Sequence, residues 1–272
     1  MARLKPANYD DRMTLVDHLD ELRTRIIVSG VVLVLAVALC FWQNGLLLDI
    51  AREPLPNDQE LTTLSPTEPF FITVRLAVYA GILLSLPFLL YQVYAFVLPA
   101  FSPGERRVVL PMLLAVPFLF TAGVVFAYYI VMPAALSFLL GFNSDDFDTQ
   151  LRAGEYIGFF ALTEIAVGLL FQIPIGVLAV TRLGIVTPQQ LASNRRYAIL
   201  IIAVVAMVLP GQDPITMLLL MAPLLVLFEG SILLASIVDR RVERTRAREE
   251  AELAASEEDD EDILHDPDPE DR

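Results

Sequence analysis

Residues 17–25 read Asp17-His18-Leu19-Asp20-Glu21-Leu22-Arg23-Thr24-Arg25, and a long apolar run over 26–42 follows directly. Three carboxylates and two arginines therefore sit on one short helical stretch at the edge of a segment fit to enter a bilayer. Thr14 and Asp17 can cap that helix. Leu15, Leu19, Leu22 and Ile26 fall on one stripe at helical spacing, which predicts an amphipathic helix along the membrane surface feeding the first span. Arginines alone would suffice as an inner-side anchor. Carboxylates at the same depth are unfavourable unless paired, which raises the question of which cation they face.

Outward from this stretch the chain is a membrane protein throughout. Hydrophobic residues make up 56% of 272, and the mean hydropathy of +0.59 is well above that of an ordinary soluble domain. Apolar runs lie at 26–42, 76–98, 108–133, 157–181, 197–210 and 215–238. Crossing a bilayer as a helix takes roughly 17–25 residues. The run at 197–210 is short, but its neighbour at 215–238 needs a partner to restore topology. The expectation is an all-α polytopic protein with six transmembrane helices.

Sixteen of the nineteen basic residues fall on one side of this arrangement. They lie in the N-terminal segment, around Arg106-Arg107, at Arg182, Arg195 and Arg196, and beyond Arg240. Only Arg52, Arg75 and Arg152 lie on the other side. The positive-inside rule then places both termini in the cytoplasm, in a multi-pass protein of the cell (cytoplasmic) membrane.

The net charge of -14 is concentrated at one end: residues 249–272 hold thirteen carboxylates against Arg272 alone. The organisation read from the sequence is a short N-terminal cytoplasmic segment (1–13), a six-span membrane domain (14–239) and an acidic tail (240–272) without periodicity, expected to be disordered. Cys40 is the one cysteine, so no internal disulfide forms. Ala36-Val37-Ala38 faintly resembles a cleavage site, but the apolar run continues to Trp42 and reads as a retained helix.

The connections carry prolines and helix-start signals. Residues 43–70 contain Pro54, Pro56, Pro66 and Pro69, which predicts an ordered cap, or a short helix only between prolines. Ser102-Pro103-Gly104-Glu105 and Thr187-Pro188-Gln189-Gln190 read as capping boxes before the third and fifth spans, and Asp213-Pro214 as the start of the sixth. Pro87, Pro111, Pro117, Pro174 and Pro223 lie inside runs, predicting bent helices around a concave face.

Much chemistry is absent. No P-loop, HExxH or nucleophile elbow occurs, and Lys5 is the only lysine, so the sequence offers no enzyme, no nucleotide site and no cofactor. His18 with Glu21 is half of a metal site at best, and a surface histidine beside a carboxylate is the plainer reading. Glu21 itself supports two readings equally: an i, i+4 pair with Arg25, or a receptor for a foreign cation. Glu105 fits the third position of its capping box, yet it stands beside Arg106 and Arg107 on the same membrane face as Glu21. Two such carboxylates suit guanidinium groups, which they bind bidentately. Glu164, Gln172 and Glu229 lie in apolar runs, where polar groups default to a functional role. Their plain alternatives are interface contact for Glu164 and an interhelical hydrogen bond for Gln172. Glu229 lies about ten residues from the inner boundary, which argues against simple snorkelling.

Several separate motifs then resemble those of the TatC family, the multi-spanning receptors of the twin-arginine protein translocase. They are His18 to Arg25, then Pro69-Phe70-Phe71 with Arg75-Leu76, and Tyr91-Gln92-Val93-Tyr94-Ala95-Phe96. Pro99-Ala100-Phe101 leads into Glu105-Arg106-Arg107; Phe126-Ala127-Tyr128 and the Pro133 region follow the third span, and Phe171-Gln172-Ile173-Pro174 lies in the fourth. The resemblance covers residues 14–239 and implies a curved, glove-like six-helix bundle. It implies that Glu21 and Glu105 receive the paired arginines of a substrate's signal peptide, and it maps Arg23, Phe96, Pro54 and His18 onto recognition motifs. It further implies single-span TatA- and TatB-like partners near the fifth and sixth helices, where Asp213 matches a turn position. Homo-oligomers in the complex, transport driven by the proton-motive force and no nucleic-acid partner follow as well. The family often has glutamate at the position of Gln172, and a neutral amide there cannot titrate. The alternative is a proton-coupled small-solute transporter using Glu164 and Glu229, for which repeat halves and broken mid-membrane helices are expected; neither is visible in the sequence.

Overall fold

The computed structural model describes residues 15–56, 59–97, 103–144, 150–208 and 214–237. The segments 1–13 and 240–272 and the capping residues Thr14, Ser102 and Asp213 lie outside the described residues.

Helix α1 runs unbroken over Leu15–Trp42, about 42 Å at 1.5 Å per residue. The charged stretch and the first span are thus one helix, not a surface helix followed by a span. No proline falls between Leu15 and Ile26, and a break at the bilayer edge would leave helix-end carbonyls without partners. Trp42, 86% exposed, ends it with an indole suited to the outer interface.

Helix α2 (Asn44–Arg52) stops ahead of Pro54, so the outer connection has its helix before the prolines rather than between them. Its Ala51 is fully buried against Leu76, Met132 and Tyr156. Helix α3 (Glu68–Val97) carries Pro87 within it. Helix α4 (Pro103–Phe126) starts on proline, where the missing N–H costs nothing. It passes through a π turn, Ala127–Val131, into α5 (Met132–Gly141). Phe126-Ala127-Tyr128 and Pro133 therefore lie inside the third span, which extends to Gly141 rather than ending near 133. Pro133 has no N–H to return to the preceding turn, and the widened turn accommodates it without a break.

The fourth span is broken. Helices α6 (Ala153–Leu170) and α7 (Ile173–Arg182) meet at Phe171-Gln172. Pro174 cannot donate to the Leu170 carbonyl, so the ladder stops there. Gln172 N–H closes a tight turn on Leu169 at 3.0 Å, and the Gln172 carbonyl restarts the helix by accepting from Ile175 and Gly176. At the far end Gly184, at φ +70°, closes α7: its N–H bonds Thr181 and that of Ile185 bonds Val180, both at 3.1 Å. Thr187 and Gln190 form the expected capping box, but on the short α8 (Pro188–Ser193) rather than on the fifth span itself. Then come α9 (Arg195–Val208) and α10 (Pro214–Ile237). Five of these segments are long and apolar enough to cross a membrane. With 14 residues α9 is not: it spans about 21 Å against a hydrocarbon core of about 30 Å.

Glycines set the closest helix contacts. A Cβ on Gly81 of α3 would lie 2.5–2.8 Å from Val37 of α1. One on Gly123 of α4 would lie 2.9 Å from the Cα of Gly168 of α6, and one on Gly168 would lie 2.7 Å from Phe120. Backbones approach this closely because lipid supplies no hydrophobic drive between helices and packing must do so.

The outer loops are tied by polar contacts. Strands β1 (Leu61–Thr62) and β2 (Leu151–Arg152) pair in parallel. Glu68 accepts from the Leu64 N–H at 2.8 Å and from Arg152 Nε at 2.9 Å. The hydrogen bond and charge of Glu68 raise the Arg152 guanidinium above its ordinary pKa.

Candidate functional site

The inner ends of α1 and α3 converge on the charged stretch. Arg25 lies one turn beyond Glu21 and donates from Nε to Glu21 Oε1 at 2.9 Å, with a second bond from its terminal nitrogen to the same oxygen. Its other terminal nitrogen reaches across to Gln92 Oε1 of α3 at 2.7 Å, and the Ala95 carbonyl lies 3.4 Å from the guanidinium. Glu21 Oε2 is buried and has no hydrogen bond; His18 Nδ1, at 3.8 Å, is too far to make one. The His18 ring stacks on Phe96 with centroids 4.2 Å apart and planes 12° apart. Asp20, Glu21, Thr24, Arg25, Val28 and Gln92 line a cleft of about 470 Å³ beside this cluster. The arrangement is a carboxylate held by one guanidinium, with its second oxygen buried and, among the described residues, not hydrogen-bonded.

Of the residues singled out from the sequence, His18, Glu21 and Phe96 come together here. Arg23 is exposed on the opposite side of α1 from the packed face. Glu105 lies on α4, but its side chain is outside the described residues, as is Asp213 altogether. Pro54 is half-buried in the turn after α2, at the other end of the molecule. Gln92 belongs to the 91–96 motif, but its contact with Arg25 depends on α3 lying against α1, which local spacing does not reveal.

The intramembrane polar residues separate. Gln172, 6% exposed, donates from Nε2 to the Val116 carbonyl of α4 at 3.2 Å, so it ties the broken fourth span to the third. Glu164, 1% exposed, has neither oxygen hydrogen-bonded. It lines an apolar cavity of about 350 Å³ with Leu76, Tyr79, Val124, Tyr128 and Phe160. Glu229 pairs with Arg195, at the start of α9, at 3.0 Å and is half-exposed. The fourth span has the broken helix expected of a transporter, yet Glu229 is already engaged with Arg195. Among the described residues no three of His, Cys, Asp and Glu gather as a metal ion would require.

Fold and site together define a polytopic helical membrane protein with a carboxylate-lined cleft at the inner end of its first span. Comparison with known proteins is specific. The family model for the Sec-independent protein translocase protein (TatC) matches residues 17–223. The TatC protein of Aquifex aeolicus is 37% identical over 84% of this chain and 97% of its own length. That of Synechocystis is 42% identical over 82% and 88%. A crystal structure of the twin-arginine translocase receptor TatC in DDM superposes with a TM-score of 0.71 at 38% identity, over 80% of this chain and 99% of that one. The chain belongs to the TatC family of Sec-independent protein translocases. That family is part of a translocase that works with other Tat subunits.

Proposed function

We propose that this chain is the receptor subunit that docks twin-arginine signal peptides of folded proteins, with Glu21 accepting one guanidinium and Glu105 the other. The observation that carries the reading is the buried Oε2 of Glu21, which has no hydrogen-bond donor although Oε1 has a full set. A buried carboxylate oxygen left open is costly unless a donor arrives, and a guanidinium is the donor whose planar fork fits it. His18 stacked on Phe96 stands beside the cleft, Arg23 adds positive charge on the exposed side of α1, and Pro54 serves the outer loop. No bond is made or broken.

In this reading the domain between residues 14 and 239 holds the receptor in the cytoplasmic membrane, with 1–13 and 240–272 in the cytoplasm. TatA- and TatB-like single-span subunits dock near α9 and α10, around Asp213 and Glu229, and several copies assemble in a proton-motive-force-driven complex. The shortness of α9 supports this, because a helix that cannot span alone leaves the bilayer thin beside it. Gln172 serves as a neutral interhelical tie and carries no charge. Site-specific photocrosslinking of a twin-arginine signal to this subunit tests the assignment. Glu21→Ala and Glu105→Ala are each expected to abolish the crosslink, and unchanged crosslinking in both would sink the pocket.

A further inference from the structure

We infer that Arg25 is an internal competitor for Glu21: a foreign guanidinium can engage the unbonded Oε2, but to fork across both carboxylate oxygens it must displace Arg25 from Oε1, and Arg25 thereby sets the preference of the site for arginine over lysine. The inference rests on the receptor reading above and adds a residue and a sign to it.

Three observations carry it. First, Arg25 already occupies one of the two Glu21 oxygens that a foreign guanidinium would fork across, with two of its nitrogens on Oε1. Second, Arg25 has a second berth. Gln92 Oε1 at 2.7 Å and the Ala95 carbonyl at 3.4 Å, both on α3, can keep the guanidinium hydrogen-bonded when Glu21 lets go. A charged group is released from a partner cheaply only if other acceptors remain, since the alternative is an unpaired guanidinium at the bilayer edge. Third, the cleft stays negative with Arg25 in place. Asp20 lines it alongside Glu21, so two carboxylates face one arginine there and a foreign cation is still attracted.

Selectivity follows from the exchange. A guanidinium replaces the bonds that Arg25 gives up with the same planar, two-nitrogen geometry. An ammonium offers a compact point charge that cannot reproduce the fork, so a lysine pays for displacing Arg25 without returning an equivalent interaction. Without Arg25 that penalty disappears, and lysine binds nearly as well.

The alternative is that Arg25 positions Glu21 and aims Oε2 at the ligand. The two roles differ in sign. The test uses the full chain reconstituted in nanodiscs and a fluorescent signal peptide carrying either an arginine pair or a lysine pair. If Arg25 competes, Arg25→Gln tightens the arginine-pair peptide by on the order of threefold, as a part-buried i, i+4 pair allows, and tightens the lysine-pair peptide by more. Arg25→Lys keeps the inner-side charge and folds in the same topology; it should move both affinities in the same direction, by less. Gln92→Leu removes the berth and should weaken the arginine-pair peptide, but leave binding unchanged when combined with Arg25→Gln. Weaker or unchanged binding of the arginine-pair peptide by both Arg25 variants would overturn the inference. Glu21→Gln separates the two failures: if it leaves binding intact, the receptor reading itself is wrong, and if it abolishes binding while the Arg25 variants do not tighten it, only the competitor role is wrong.

Discussion

Tyr156 of α6 donates its phenolic proton to the backbone carbonyl of Ala51 in α2, at 2.5 Å and across 105 positions of sequence. Both residues are buried, Tyr156 to 3% exposure and Ala51 completely. Ala51 stands one residue before the end of α2, where carbonyls lose their helical partners. The bond therefore closes a helix end and pins the outer cap to the fourth span in one contact. Tyr128, in the π turn of the third span, ties the cap to that span one residue earlier, donating to the Ile50 carbonyl at 2.9 Å.

Replacing Tyr156 by Phe removes the donor and leaves the Ala51 carbonyl buried without it. The expected cost is about 1–3 kcal/mol. Thermal unfolding of the detergent-solubilised protein should show a lower Tm with unchanged helix content. An unaltered Tm would mean that another donor satisfies Ala51.

Gly81→Ala should destabilise although alanine is the better helix former. The new Cβ would meet the Val37 Cα and backbone nitrogen at 2.7 and 2.8 Å, so α1 itself must move. Overpacking of this kind costs about 1–3 kcal/mol, more than the ~1 kcal/mol that helix propensity returns. Val37→Ala should fail to rescue it, since two of the three contacts are with backbone; rescue in a melting assay would contradict that geometry.

The Arg195–Glu229 pair joins the start of α9 to the inner half of α10 with both side chains about half exposed. Its worth is about 0–1 kcal/mol. Exchanging the charges, with Glu at 195 and Arg at 229, should restore whatever stability Glu229→Ala loses. Transport of a folded cargo should survive Glu229→Gln, and loss of transport with stability intact would return Glu229 to the list of intramembrane functional groups.

Phe96 holds His18 by a near-parallel ring stack. Phe96→Leu keeps an apolar side chain, though a smaller one, and loses the stack, worth about 0.5–1.5 kcal/mol. Signal-peptide affinity is expected to fall by a factor of about two to ten, while Phe96→Trp should retain it. Equal affinities for the Leu and Trp variants would show that this position beside the cleft needs an apolar side chain and not an aromatic face.

Residues Asp17 to Trp42 show how much of this was legible in the chain. The apolar run, the flanking arginines and the excess carboxylates are local in sequence, and each has a local physical meaning: insertion, orientation and a demand for a cation. The Schellman end at Gly184 and the capping box at Thr187 are likewise written in a few consecutive residues. The continuation of α1 through its charged stretch was less legible, because an amphipathic segment followed by an apolar one fits a surface helix as well as an extended span. The end of the third span at Gly141 is hidden in the sequence for a similar reason. Pro133 reads as a stop, and only a π turn, invisible to spacing, carries the helix past it.

Composition, apolar run length and the placement of arginines determined by themselves that this is a multi-pass helical membrane protein, and the motif order determined its family. These properties depend on the transfer of segments between water and lipid, which each segment decides on its own. Tertiary structure alone decided which acceptors Arg25 uses, that Gln172 ties two spans while Glu164 faces a cavity, and that Glu229 is already paired. Those outcomes depend on which backbone lies opposite each side chain, and in a bundle held by close glycine contacts that is set by the packing of helices far apart in the chain.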